Sequence, residues 1–388
     1  MNIKTSTHWK LALALTAAAA LTACGGGDDK NPLGIDTVKV VGDSLSDSGT
    51  FAGLPGMPRT FTVQGTTDDN VIWVERVAKA YDVKPLCPAY KFNGQAFAPN
   101  SQMGCTNYAV GGANINNLPS ADNGKPQPPT MAEQLSVAAA AGWRDKDLLL
   151  IDGGGNDAAD LIQSYIGAAA GQEGAAAYVA DLATLVPTGV LHQVLAGPDG
   201  AENAGGLYMQ ALADSMTSSI RTQAVAKGAK QVLVANIPDI TFTPDFQDVL
   251  TQIEQAAGTE RRAQAQGLFK TWIRTYNARL AANFKDDARV KVYDLESSFT
   301  SMMTNPAKHG LTNVSVPVCG AAYVPVLPVR NFAECTADAL KATPPPPGAS
   351  GTGWWQRFMF ADGFHPTPYG HKLFADPVIN LLDEIDWL

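Results

Sequence analysis

Four short stretches carry residue types from which covalent acyl chemistry is built. Val41-Gly42-Asp43-Ser44-Leu45-Ser46-Asp47-Ser48-Gly49 sets a serine just past a run of strand character, beside a glycine. Such a serine is placed to act as a nucleophile; taken alone, Ser44 also suits a turn or a helix cap. Ser46 stands where a GxSxG elbow would have its second glycine, so that turn is excluded. Asn107-Tyr108-Ala109-Val110-Gly111-Gly112-Ala113-Asn114 holds paired glycines, whose backbone N–H groups can approach a developing oxyanion or simply make a tight turn. Gly153-Gly154-Gly155-Asn156-Asp157 fits GxGxxA. The acidic residue expected about twenty positions later on a second strand is missing, which removes the dinucleotide reading. Asp362-Gly363-Phe364-His365-Pro366 places an acid three residues before a histidine, on a loop stiffened by Pro366 and Pro368. A serine hydrolase needs one histidine base, oriented by an acid through its other ring nitrogen. His371 suits a helix cap, and nothing singles out His192 or His309.

These stretches need a scaffold. Thr37 to Val41, Thr106 to Val110, Asp147 to Ile151, Gln231 to Ala235 and Val290 to Tyr293 read as five short strands. Asp69 to Ala80 spaces Val71, Val74, Val77 and Ala78 as a helix would, with Asp68 or Asp69 as N-cap. Thr130 to Ala141 opens on a Thr130/Glu133 capping box. Long helical stretches cover about 200–228 and 251–285, and a last one about 367–386. Buried strands alternating with helices predict an α/β layered fold with a parallel sheet. Ligands bind such sheets at the carboxyl ends of the strands, where three of the four stretches fall. The Pro-rich segment 305–353 breaks the alternation and reads as a stapled loop insertion within one domain. The Ala/Gly-rich segment 167–177 reads as an exposed excursion.

The N-terminus reads as an address. Lys4 and Lys10 precede LALALTAAAALTA and then Cys24, the pattern of a secretory signal. The run falls short of the ~20 apolar residues of a spanning helix. Losing residues 1–23 would take away two lysines and no acid, moving the net charge from −9 to −11. An acidic balance without a basic run excludes a phosphate-neutralising nucleic-acid binder and charge-driven binding to anionic lipid. With 45% hydrophobic and 17% charged residues, the 388-residue chain is neither disordered nor a coiled coil. Beyond Cys24 remain Cys87, Cys105, Cys319 and Cys335, an even number that suggests two disulfides outside the cytoplasm. Three connectivities are open; Cys87–Cys105 and Cys319–Cys335 are favoured, because each pair brackets a Pro/Gly-rich loop. No CxxC or neighbouring histidine pair suggests a metal.

Taken together and in this order, the four stretches resemble the GDSL family of lipases and esterases, also called SGNH hydrolases. Gly42-Asp43-Ser44-Leu45 is the literal tetrapeptide, and SDSG after it resembles the lecithinase/haemolysin-like branch, with Ser48 for the usual threonine and Thr50 for the usual asparagine. The resemblance implies a three-layer α/β/α sandwich with a mostly parallel five-stranded, flavodoxin-like sheet. It implies Ser44 as nucleophile, His365 as general base and Asp362 as the orienting acid. Ser44 N–H, Gly112 N–H and the Asn156 amide become the oxyanion donors, with no metal or organic cofactor. Leu21-Thr22-Ala23-Cys24 resembles a bacterial lipobox. That implies a signal peptide over 1–23, a lipid-modified Cys24, a flexible tether over 24–36 and a hydrolase domain over 37–388. The lipid would anchor the exported chain at the outer membrane, unless it is released.

The implied partner is a small-molecule or lipid ester, with no nucleic acid and no obligate protein partner. Lysophospholipase and acyltransferase activity are alternatives within the same fold. A non-catalytic outer-membrane binding lipoprotein is the alternative outside enzymology. Trp354, Trp355, Phe358 and Phe360, just before the acid–base loop, are open between an acyl pocket and core.

Overall fold

The computed structural model describes residues 31–65, 71–169, 171–320 and 326–388; Cys24, the signal and Asp68 and Asp69 lie outside them. Four strands form the main sheet: β1 (Thr37–Val41), β4 (Asp147–Ile151), β5 (Gln231–Ala235) and β6 (Val290–Tyr293), in spatial order β1-β4-β5-β6 and all parallel. Between β1 and β4 in sequence, β2 (Tyr90–Phe92) and β3 (Phe97–Pro99) pair as a small antiparallel hairpin inside the Cys87–Cys105 loop. The strands are apolar on both faces, as a sheet covered on both sides requires. Val41, Leu149, Ile151, Val232 and Val234 enter one core; Val38, Val40, Leu148, Leu150 and Leu233 enter the other. Helices α2 (Met131–Ala140), α3 (Gly155–Ala168), α4 (Gln172–Leu182), α5 (Thr188–Leu195), α6 (Gly200–Ser219) and α7 (Pro244–Phe284) supply the first core. Helices α1 (Trp73–Ala80), α8 (Leu295–Thr304) and α10 (Pro368–Glu384) supply the second. The result is a three-layer α/β/α sandwich. A short α9 (Ala337–Ala342) lies in the segment between α8 and α10.

The sheet has four strands where the sequence predicts five. Thr106 to Val110 does run parallel beside β1: Val40 N–H donates to Thr106 O at 3.0 Å and Tyr108 N–H to Val40 O at 2.7 Å. Val110 N–H still donates to Gly42 O at 3.1 Å, but the ladder between these rungs is incomplete, because Gly42 N–H donates to the Gln134 side chain at 2.9 Å. Helix α1 begins at Trp73, later than its spacing suggests, because Glu75 reaches back to accept the Ile72 N–H at 3.1 Å. The α2 capping box forms as expected. The stretch 251–285 starts earlier, at Pro244, and is broken at Gly258, whose φ of 87° needs glycine. Arg262 beyond the break then meets Gln247 at 2.6 Å. Segment 167–177, expected as an excursion, belongs largely to the ends of α3 and α4 and is mostly exposed. The end of the expected tether is anchored: Asn31 bonds both backbone groups of Ile35, which is buried, and Asp36 pairs with Arg144.

Candidate active site

Strand β1 delivers the chain to a turn whose polar side chains are almost all buried. Gly42 is required where it stands, since a Cβ there would fall 1.9 Å from Asp152 Oδ1. Gln134 of α2 clamps both backbone groups of Gly42, accepting from its N–H at 2.9 Å and donating to its carbonyl at 3.0 Å. Ser46 Oγ donates to Asp152 Oδ1 at 2.6 Å and accepts from the Trp73 indole at 3.0 Å. Asp47, fully buried, accepts three backbone N–H groups: Gly49 and Thr50 on Oδ1, both at 2.8 Å, and Gly111 on Oδ2 at 3.0 Å. One carboxylate thus ties the nucleophile turn to the glycine pair. Burial pushes the Asp43 carboxyl up; burial and the neighbouring Asp43 charge hold Asp152 well above the usual carboxylate range. A small cavity of about 40 Å³ borders these two acids and Phe360 and Phe364.

The acid–base loop closes on Ser44 from the far end of the chain. His365 Nε2 lies 2.8 Å from Ser44 Oγ, and His365 Nδ1 lies 3.0 Å from each oxygen of Asp362. Asp362 Oδ1 also accepts the Phe364 and His365 N–H groups, at 2.9 and 2.6 Å, so the acid folds its own loop. Burial opposes charge on both groups, but their mutual attraction outweighs it. Asp362 is held below the usual carboxylate value and His365 above the usual imidazole value. Aromatic rings fix the imidazole plane. Phe61 stacks at 5.3 Å, while Phe332 and Phe364 meet it edge-on at 5.5 and 5.7 Å. Gly363 lies against Asp245, where a Cβ would fall 1.8 Å from Oδ1.

Two of the expected oxyanion positions, Gly112 and Asn156, line one groove. Val110 O accepts the Ala113 N–H at 3.1 Å, and Gly112, exposed in the same turn, takes φ 78°. Asn156 sits in the first turn of α3, behind Gly154 in the left-handed region, and donates to Ala113 O at 3.0 Å. Asp157, one residue on, accepts the Ile115 and Asn116 N–H groups at 2.9 and 2.8 Å; burial pushes it up to about 7. The Gly112 loop and Asn156 are therefore joined by two adjacent residues of one helix.

Other candidates fall elsewhere. Both disulfides form as favoured, Cys87–Cys105 and Cys319–Cys335. Trp354, Trp355 and Phe358 are buried in a separate core under the 305–353 segment, and the Trp354 indole donates to Leu340 O and Thr343 O. Phe360 belongs to the second core as well as bordering the small cavity. His371 is buried, and burial with nearby Arg76 pushes it down to about 3. His192 is exposed on α5 and His309 meets Ser301 Oγ at 2.9 Å. Sequence reasoning missed Asp47, Asn107, Gln134 and Asp152, and the rings Phe61 and Phe332. Asp47 alone left a local trace, as the first acid before a Ser-Gly turn.

A family model described as GDSL-like Lipase/Acylhydrolase matches residues 38–378. A GDSL esterase/lipase of Arabidopsis thaliana is 25% identical over 166 residues, 43% of this chain and 37% of that protein. The chain thus spans little more than a third of that relative. The crystal structure of an extracellular lipase from Streptomyces rimosus aligns with 89% of this chain and 99% of its own, at 17% identity and a TM-score of 0.36. With the family model covering the chain from β1 to α10, this protein belongs to the GDSL-like lipase/acylhydrolase family.

Proposed function

We propose that the protein is a serine ester hydrolase that works through an acyl-enzyme on Ser44. One observation carries the reading: the unbroken series Ser44 Oγ, His365 Nε2, His365 Nδ1, Asp362, with steps of 2.8 and 3.0 Å. In this reading His365 takes the Ser44 proton as Oγ attacks the ester carbonyl and returns it to the departing alcohol. Water, deprotonated by the same imidazole, then releases the acid. Ser44 N–H, Gly112 N–H and the Asn156 amide face the charge that develops on the carbonyl oxygen. Each such donor contributes roughly 2.7–4 kcal/mol to the transition state. Asp362 keeps Nδ1 protonated and stabilises the imidazolium.

Hydrolysis of p-nitrophenyl butyrate tests this directly. Ser44→Ala should lose roughly 10⁶-fold in kcat and all labelling by a fluorophosphonate probe; retained activity or labelling elsewhere would sink the mechanism. The same reading makes Cys24 the site of lipid attachment at the outer membrane, supported by Leu21-Thr22-Ala23-Cys24. Incorporation of labelled fatty acid that survives Cys24→Ala would refute the anchor.

A further inference from the structure

Beside the two outer oxyanion positions lies a groove that the acyl-transfer chemistry leaves unused. It holds about 330 Å³, within the range that small ligands fill. Gly112 and Asn156 line it, as do Lys125 and Gln127 of the loop that follows Asn123. Asn114 and Asp160 line it too: Asn114 Nδ2 donates to Asp160 Oδ2 at 2.7 Å. Asn114 is 6% exposed, and its Oδ1 has no hydrogen-bond partner among the described residues. Pro128 packs over Gly112, within 3.6 Å of where a Cβ would stand.

We propose that this groove is a subsite for a hydroxylated alcohol portion of the ester, a saccharide or another polyol. The proposal rests on the acyl-transfer reading above and names its substrate class. Amides and a carboxylate are the groups that hydrogen-bond neighbouring hydroxyls, which both donate and accept. Leu118, Pro126 and Pro128 offer apolar faces to the C–H side of such a ring. A long acyl chain does not suit the groove, because covering unpaired polar groups costs about 1–3 kcal/mol each. An anionic headgroup does not suit it either, since Lys125 is the one cation among the described residues lining it and Asp160 lines it too. The contrast with the opposite side is plain: around His365 the walls are Phe61, Phe332 and Phe364.

The test compares butyl butyrate with methyl glucoside 6-butyrate, which share an acyl group. The expected kcat/KM ratio favours the sugar ester by about tenfold, the worth of one or two hydrogen bonds, and Gln127→Ala or Lys125→Ala lowers that ratio severalfold. A ratio near one, or one that neither substitution changes, overturns the subsite. Calorimetric binding of the sugar ester to Ser44→Ala reads the groove without chemistry. Binding weakened by Gln127→Ala supports the proposal, and no binding overturns it. Failure of wild-type protein to cleave any butyrate, with sugar-ester binding intact, would instead refute the hydrolase reading.

Discussion

The two halves of the site are held in place by different means. The nucleophile turn is over-determined by buried polar groups from distant sequence: Asp152, Asn107, Gln134 and Trp73 all bond to residues 42–46. The acid–base loop is determined locally, by a carboxylate that bonds two N–H groups of its own loop, and then by aromatic packing. Each half is also backed by a disulfide-closed excursion. The Cys87–Cys105 hairpin supports the turn, with Phe92 N–H donating to Thr50 O and Lys91 Nζ to Gly49 O. The Cys319–Cys335 segment supports the histidine. Val318 and Cys319 N–H groups donate to Phe360 and Ala361 carbonyls, and Phe332 reaches the imidazole. In the proposed mechanism, a rigid nucleophile and a base that turns between Ser44 and a leaving group would call for these two kinds of support.

The comparison can be broken most severely on the histidine side. Asp362→Asn should cut kcat by about 10⁴-fold, because the wrong imidazole tautomer is then favoured. The base works only when neutral, so wild-type activity falls as pH drops through the raised His365 value. Without the Asp362 charge that value falls, and the acid limb of the residual kcat–pH profile should move to lower pH. An unmoved acid limb would show that Asp362 does not set the His365 charge.

Among the groups that support the nucleophile turn, the largest loss should come from Asp47→Asn. An amide cannot accept from Gly49, Thr50 and Gly111 together, so a donor is left facing a donor inside the core. Stability measured by urea unfolding should fall by about 1–3 kcal/mol, and kcat should fall because Gly112 is displaced. Unchanged kcat in a folded variant would uncouple the two loops.

Opening the disulfides should separate the halves. Each closes a loop of similar length, with separations of 18 and 16 residues, so each should stabilise by about 3 kcal/mol. Replacing Cys319 and Cys335 by serine should raise KM through Phe332, whereas replacing Cys87 and Cys105 should lower kcat. Identical kinetic changes in both double variants would count against distinct supports.

Asp152→Asn should matter least. A carboxyl that keeps its proton is mimicked by an amide, and Ser46 can still donate to the remaining oxygen. The unfolded chain gives up that proton above about pH 4, so holding it costs the wild-type fold stability as pH rises. The variant should therefore gain on the wild type in denaturant titrations as pH rises from about 4 toward the raised Asp152 value. A difference that does not change with pH would mean Asp152 is charged in the native state.

Legibility followed the range of the interactions. Asp362 and His365 were visible as partners because they stand three positions apart and one turn joins them. The Thr130/Glu133 box and the apolar runs of β1, β4, β5 and β6 were visible for the same reason, since periodicity and capping are local. The fifth strand pairs only in part because Gln134, distant in sequence, takes the Gly42 N–H that would complete its ladder with β1. The polar clamp under Ser44 was invisible: a buried aspartate such as Asp152 looks in sequence like any strand-end acid. The aromatic candidates, open between pocket and core in the sequence, pack as core. Trp354 and Trp355 are close to His365 in sequence yet sit in another core, while Phe61 and Phe332 come from far away.

By itself the sequence determined the layered α/β class, the order of the four active-site stretches and the pairing of an acid with a histidine. Strand patterning, turn glycines and short loops act over a few residues and leave their mark there. Only the tertiary structure decided that Ser44 meets His365 across 321 positions of chain, and which buried carboxylates hold the turn between them. Those contacts depend on how parallel strands align their carboxyl ends and how helices pack on both faces. That alignment is a property of the whole core, and no single stretch of the chain encodes it.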